Sequence, residues 1–292
     1  MALLTVEDQR PSHPDAARYT SALEVGDVLY FEDLKPGLSA DDIAWLLSTR
    51  ADGSGLHKNV SYRPGQNLVR GYANKSDAER LRLVMQQYSE WAVEFLGNFL
   101  TPYSEKWALD YASFRPIEEN GRELPLHKRN ELLHVDAFPS RPTFGGRILR
   151  FFSNINPNEK RVWQVGGGFD ELAEKHADAA GLGSIGDGPS IGERLMMSTG
   201  ILPKRSGYDR FMLRFHDHLK EDGEYQAKTE KHLMEFRPNS SWAVYTDGVP
   251  HSVLSGRFAL EQTFIVPFDA LVRPEVSPLR ILEGLSGTQL TS

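Results

Sequence analysis

The sequence predicts a mainly β protein with flanking helices, built around a small antiparallel barrel. Short runs of β-branched and aromatic residues bounded by Gly, Pro, Asn and Asp recur along the chain. The densest, SSWAVYTDGVPHSVLSGRFALEQTFIVP, reads as three strands joined by an Asp-Gly-Val-Pro turn and a Ser-Gly turn. Between earlier and later strands, at about 165–231, Gly-punctuated helical segments read as an insertion packed outside the barrel.

In chain order, LEVGDVLYFEDL alternates as a strand, and LSADDIAWLLST offers a Ser cap and early acids before an apolar helical face. HKNVSYRPGQNLVRGYANK reads as a loop mixing Lys58, Arg63 and Arg70 with Tyr62 and Tyr72, either solvated surface or an anion-binding flap. Ser76 and Glu79 form a capping box ahead of a helix whose core stripe is Leu81, Val84, Met85, Tyr88, Trp91, Ala92 and Phe95. WALDYASFRPIE, LLHVDAF and GRILRFFSNINP read as strands. In the last, Ile148, Arg150, Phe152, Asn154 and Asn156 share one face, and Arg147, Leu149, Phe151, Ser153 and Ile155 the other. The 292 residues divide as one elaborated domain: 1–125 an N-terminal α/β elaboration, 126–270 the barrel core with its helical insertion, and 271–292 a tail without site signals.

Composition narrows the function classes. The net charge of −7 opposes non-specific nucleic-acid binding, which works by neutralising phosphates, so no nucleic-acid partner is expected. No apolar run approaches the ~20 residues of a membrane span, and MALLTVEDQRPSHPD does not read as a secretory signal. With no Cys, a disulfide framework and thiolate-bound metal are excluded, which fits a cytoplasmic location.

Metal chemistry enters through His-x-Asp. A strand shows its first and third residues on one face, so His134 and Asp136 can chelate one ion, and two imidazoles with one carboxylate leave the opposite face of iron(II) open for a cosubstrate and dioxygen. His13-Pro-Asp15 lies in a charged leader and His176-Ala-Asp178 in a helical run, where residues two apart diverge by about 200°; both read as solvated surface. His251 opens the middle strand of the late segment and supplies the third ligand. His216 and His218, on an amphipathic helix, and His232 are weaker rivals.

An iron(II) oxygenase needs a source of electrons, which a 2-keto acid supplies by chelating the metal and decarboxylating. Its far carboxylate calls for a buried Arg. Arg150, with Asn154 on the same strand face, and Arg257, with Gln262 and Thr263 nearby, are the candidates; an exterior salt bridge for Arg150 and a turn position for Arg257 are the structural alternatives.

The strings LLHVDAFPSRPTFGGRILRFFSNINP and YTDGVPHSVLSGRFALEQTFIVP resemble the bacterial Kdo hydroxylases, iron(II)- and 2-oxoglutarate-dependent dioxygenases acting on 3-deoxy-D-manno-octulosonic acid (Kdo) in lipopolysaccharide. The resemblance extends through LEVGDVLYFEDL and KNVSYRP. It implies a double-stranded β-helix, or jelly roll, with His134, Asp136 and His251 as the metal ligands and Fe(II), 2-oxoglutarate and O2 as cofactor and cosubstrates. It also implies hydroxylation at carbon 3 of a Kdo sugar on lipid A, with peripheral contact at the inner membrane. The wider superfamily often places its cosubstrate Arg about ten residues after the distal His, where this chain has Glu261, so the choice among Arg150, Arg257 and their neighbours stays open. Since Kdo carries a carboxylate and lipid A usually carries phosphates, Lys58, Arg63, Arg70, Arg129 and Arg141 become candidate substrate contacts. A hydroxylase of a free small molecule and a non-catalytic metal-binding jelly roll are the rival functions.

Overall fold

The computed structural model describes residues 1–10, 13–48, 59–71, 77–118, 124–188 and 191–291. Lys58, Tyr72 and Ser76 therefore lie outside the described residues. The strands are β1 (Leu3–Thr5), β2 (Val28–Phe31), β3 (Val60–Arg63), β4 (Leu68–Arg70), β5 (Ala108–Arg115), β6 (Arg147–Asn154), β7 (Arg161–Val165), β8 (His232–Phe236), β9 (Ser241–Tyr245), β10 (His251–Ser255) and β11 (Ala259–Val266). The helices are α1 (Ala16–Glu24), α2 (Ala40–Ser48), α3 (Ala78–Phe99), α4 (Phe169–His176), α5 (Ile191–Ser198), α6 (Gly207–Glu221), α7 (Gly223–Lys228) and α8 (Pro278–Ser286).

A large sheet of order β1-β2-β9-β6-β11-β5-β3-β4 faces a small sheet of order β10-β7-β8, the two-sheet arrangement of a jelly roll. Between them Phe152 and Trp242 of the large sheet meet Trp163 and Phe236 of the small one. The other face of the large sheet carries α3. Leu81, Val84, Met85, Tyr88 and Ala92 are buried there, with Trp91 and Phe95 packed beside them. Phe151 sits at the centre of this seam, its ring 5.5 Å from Trp91, 5.7 Å from Phe95 and 6.0 Å from Phe31. Phe151→Ala should lower the stability by about 3–5 kcal/mol, because a fully buried ring leaves a cavity its neighbours cannot refill. A urea titration of the two proteins checks it, and a loss under ~1 kcal/mol would mean that the seam collapses onto the gap.

The structure differs from the sequence reading at four places. The segment read as a basic loop is the hairpin β3–β4, paired Ser61 to Arg70 and Arg63 to Leu68. LLHVDAF is not a ladder strand: His134 makes a single bridge with His251, and the neighbouring backbone bonds go elsewhere, Leu133 to the Gln226 side-chain amide and Asp136 N–H to Thr246 O. The tail folds as α8, capped by Ser277 and burying Leu279 and Leu282. His13 is buried against Tyr19 and Phe99, its Nδ1 accepting from the Asp15 amide, so that His-x-Asp is a packed turn and not solvated surface.

The helical layer explains how the ligand segment is held. Leu133 and Val135 point into a cluster with Phe169, Phe211, Phe215 and Leu219, so His134 and Asp136, alternating with them, face the opposite way, into the barrel.

Candidate active site

His134 Nε2 lies 3.7 Å from Asp136 Oδ1, and His251 Nε2 lies 3.8 Å from Asp136 Oδ2. The donor atoms of the three residues all fall within 4.8 Å of one another, and all three side chains are buried or nearly so. Backbone geometry fixes this meeting. His134 and His251 exchange N–H···O bonds of 3.1 and 2.9 Å, and each donates its Nδ1–H to the carbonyl two residues earlier, Leu132 at 2.7 Å and Val249 at 2.9 Å. Those bonds leave both Nε2 lone pairs turned toward Asp136. Burial, then the neighbouring His251, drives the His134 pKa well below its ordinary value, and burial lowers His251 despite Asp136. Both imidazoles are thus neutral, as ligands must be. Burial alone would raise Asp136, but the Arg150 guanidinium outweighs it and holds the carboxyl far below the usual range. Two neutral nitrogens and one carboxylate in this arrangement fit a non-haem iron(II) ion with open coordination positions.

The turn before His251 depends on a close approach. A Cβ on Gly248 would lie 2.5 Å from Arg147 Nη2, and Arg147 is committed to the buried Asp247 in the same turn at 2.8 Å.

Beside the triad is a cavity of about 210 Å³ lined by Asn59, Arg115, Asn130, Arg150, Phe152 and Trp163. Arg150 reaches Asp136 Oδ2 at 3.1 Å and Glu261 Oε1 at 3.6 Å, and Arg115 donates to Glu261 Oε2 at 2.7 Å. Glu261 also accepts from Ser113 and Thr263. Burial would raise its carboxyl, yet Arg150 and Arg115 hold it at about 2. The position where the wider superfamily places an Arg thus carries an anion that braces two arginines from adjacent strands.

The solved structure of the Kdo hydroxylase KdoO, a non-heme Fe(II) alphaketoglutarate-dependent dioxygenase, with alphaketoglutarate and Fe(III) is 34% identical, with 99% of this chain and 97% of that chain covered and a TM-score of 0.88. The apo form matches at 34% identity, 100% and 98% coverage and TM-score 0.89, and the cobalt(II) complex at 35%, 99%, 97% and 0.89. The family of 3-deoxy-D-manno-oct-2-ulosonic acid (Kdo) hydroxylases matches residues 6–289. The chain belongs to the Kdo hydroxylase family. No curated protein matches it.

Within this Kdo hydroxylase, not every residue singled out from the sequence reaches the cavity. Arg257 is exposed in the β10–β11 turn, its guanidinium 4.8 Å over the Phe258 ring. It follows the strand end opposite to His251, about 20 Å of extended chain away. Gln262 faces out of the barrel and bonds Ser89 of α3 at 2.7 Å, since its neighbour Glu261 takes the inward position. Asn154 spends its amide on the carbonyls of Glu159, Phe236 and Arg237, past Phe152 at the far end of β6. Arg129 pairs with Glu131 at 2.6 Å. His232 is exposed, and His216 is half-buried with its ring edge-on to His134 at 5.1 Å.

Arg63 and Arg141 do converge. Their guanidiniums lie 4.9 and 4.1 Å from the Tyr111 ring centre, Arg141 is also 4.3 Å from Phe138, and Arg150 is 5.4 Å from Phe138. Cations and rings therefore alternate from Arg63 inward to the metal triad. Arg70, exposed, shares the β3–β4 face of Ser61 and Arg63. Sequence reasoning missed Arg115. Its only signal was the alternation Tyr111, Ser113, Arg115, which marks one face of β5 without saying what that face meets.

Proposed function

We propose that the chain hydroxylates carbon 3 of a Kdo sugar attached to lipid A, consuming 2-oxoglutarate and O2 and releasing succinate and CO2. The observation that carries the reading is the His134–Asp136–His251 triad beside two arginines, in a chain of this family. Bound at the triad, iron(II) would supply the redox chemistry that couples loss of CO2 to insertion of one oxygen atom into a C–H bond. The chain's own residues supply placement and charge. Asp136 is committed to the metal, and Arg150 and Arg115 stand beside it on either side of Glu261 as buried cations. A buried cation there suits the carboxylate of 2-oxoglutarate that the metal does not take. Phe152 and Trp163 line the cavity and limit water beside the reacting centre.

Arg63, Arg141 and Arg70 are the proposed contacts for the sugar carboxylate and lipid phosphates, with Arg129, paired to Glu131, and Lys58 as further candidates. Since the lipid anchor resides in a bilayer, the chain would work from the cytoplasmic side in peripheral contact with the inner membrane. Purified protein with iron(II), 2-oxoglutarate and vesicles bearing Kdo–lipid A should release one succinate per oxygen atom gained by the sugar. Turnover of free Kdo alone would point to a small-molecule hydroxylase, and absence of succinate with every substrate to a non-catalytic protein.

Charge reversal at Arg63 or Arg141 should lower turnover of the lipid-linked sugar by an order of magnitude or more. Substrate-free decarboxylation of 2-oxoglutarate should change by less than about twofold, and the defect should deepen as salt screens the remaining attraction. Equal losses in both reactions, or no loss in either, would remove these arginines from substrate recognition.

A further inference from the structure

The amphipathic helix α6 carries two histidines, His216 and His218, and residues two apart on a helix diverge by about 200°. His216 turns toward the iron triad. His218 turns the other way, toward α4, and there it meets His176 and Asp222. The donor atoms of these three residues also lie within 4.8 Å of one another. His176 Nδ1 is 3.6 Å and His218 Nε2 4.0 Å from the same Asp222 oxygen, Oδ2.

The details of the cluster favour a ligand. Asp222 Oδ1 is already spent capping α7, accepting from the Glu224 and Tyr225 amides at 2.9 Å each, which fixes the carboxylate with Oδ2 turned to the histidines. His218 Nε2 is shielded from solvent and finds no hydrogen-bond partner among the described residues. The Tyr225 ring stands edge-on to His176 at 5.0 Å and limits its rotation. Asp222, the residue that ends α6, follows His218 by four positions, so the two stand one turn apart and can present two donors to one ion. The site opens onto a surface cavity of about 660 Å³ bounded by α4 and α7, where water can complete the coordination.

We propose that His176, His218 and Asp222 form a second divalent-metal site, separate from the iron triad, that takes a borderline transition ion such as Zn(II) through two imidazoles, one carboxylate and water. Two nitrogen donors disfavour Mg(II) and Ca(II), which prefer oxygen shells. The ion would tie the C-terminus of α4 to the α6–α7 junction, and so stiffen the helical layer that backs Leu133 and Val135 of the ligand segment.

The test uses the full chain and Zn(II) alone. After chelator stripping and equilibrium dialysis against micromolar Zn(II), the wild type should retain two equivalents, and His218→Ala and His176→Ala one each. His134→Ala should also retain one, with Zn(II) raising its Tm by several degrees. The Tm of a His134→Ala/His218→Ala protein should not respond. The single variants His176→Ala and His218→Ala should keep iron-dependent succinate release, which separates this proposal from the hydroxylase reading. One equivalent in the wild type would overturn it, as would two in both His176→Ala and His218→Ala. If one of these variants does not fold, the Tm response of His134→Ala decides alone, and no response overturns the proposal.

Discussion

Replacing His134, Asp136 or His251 with alanine should each abolish substrate-dependent succinate release, a loss well beyond the ~10–100-fold expected when only an outer partner of a metal ligand is removed. Each variant keeps two donors of three, too few to hold the ion in the geometry that leaves adjacent positions open. The fold should survive. The core lies between the sheets and under α3, and the ligand segment is anchored through Leu133, Val135 and backbone bonds that alanine retains. Thermal melting alongside the activity assay separates lost ligation from unfolding. Asp136→Ala should shift Tm more than the histidine variants, because it takes from Arg150 one of its two carboxylate partners. Wild-type activity in any of the three would remove that residue from the ligand set.

The metal site was legible in the sequence for a local reason. His-x-Asp in an extended segment fixes relative direction without any tertiary knowledge, and a Pro-terminated turn ahead of His251 marks a strand start. The hydrophobic period likewise exposed α3 and the faces of β6. The same segment shows where local reading stops: LLHVDAF carries a strand's alternation, yet it joins no ladder and only His134 makes a bridge, because its other partners are Gln226 and Thr246, distant in sequence.

The cavity beside the triad was half legible. The inward face of β6 named Arg150, but it named Asn154 with equal force, and strand period cannot say how far along a face the cavity extends. Arg115 and Glu261 become partners only through the register of β5 with β11, which pairs Glu261 with Ser113 and Ala259 with Arg115. Register is set by the whole sheet. The His176–His218–Asp222 cluster was hidden for the same reason: His176 has its true acidic neighbour in Asp222 at the α6–α7 junction, not in Asp178 two residues on.

Arg150→Ala should raise the 2-oxoglutarate requirement roughly 30-fold or more, since a buried charge-assisted pair with a carboxylate is worth about 2–5 kcal/mol on truncation. Arg257→Ala should change it by less than about twofold, its guanidinium being solvated over Phe258 in a turn. The two cavity arginines should differ in kind. Arg150 also touches the metal-binding Asp136, so its loss should weaken iron retention and lower kcat as well as raising KM for 2-oxoglutarate. Arg115 touches Glu261 and stands over Phe152 at 5.7 Å, on the side of Glu261 away from Arg150, so Arg115→Ala should act chiefly on KM. Steady-state kinetics at varied 2-oxoglutarate, with bound iron measured in parallel, resolves the two patterns. If Arg257→Ala proved the more damaging, the anchor would move to Arg257, and Arg150 in the cavity would no longer explain how the second carboxylate is held.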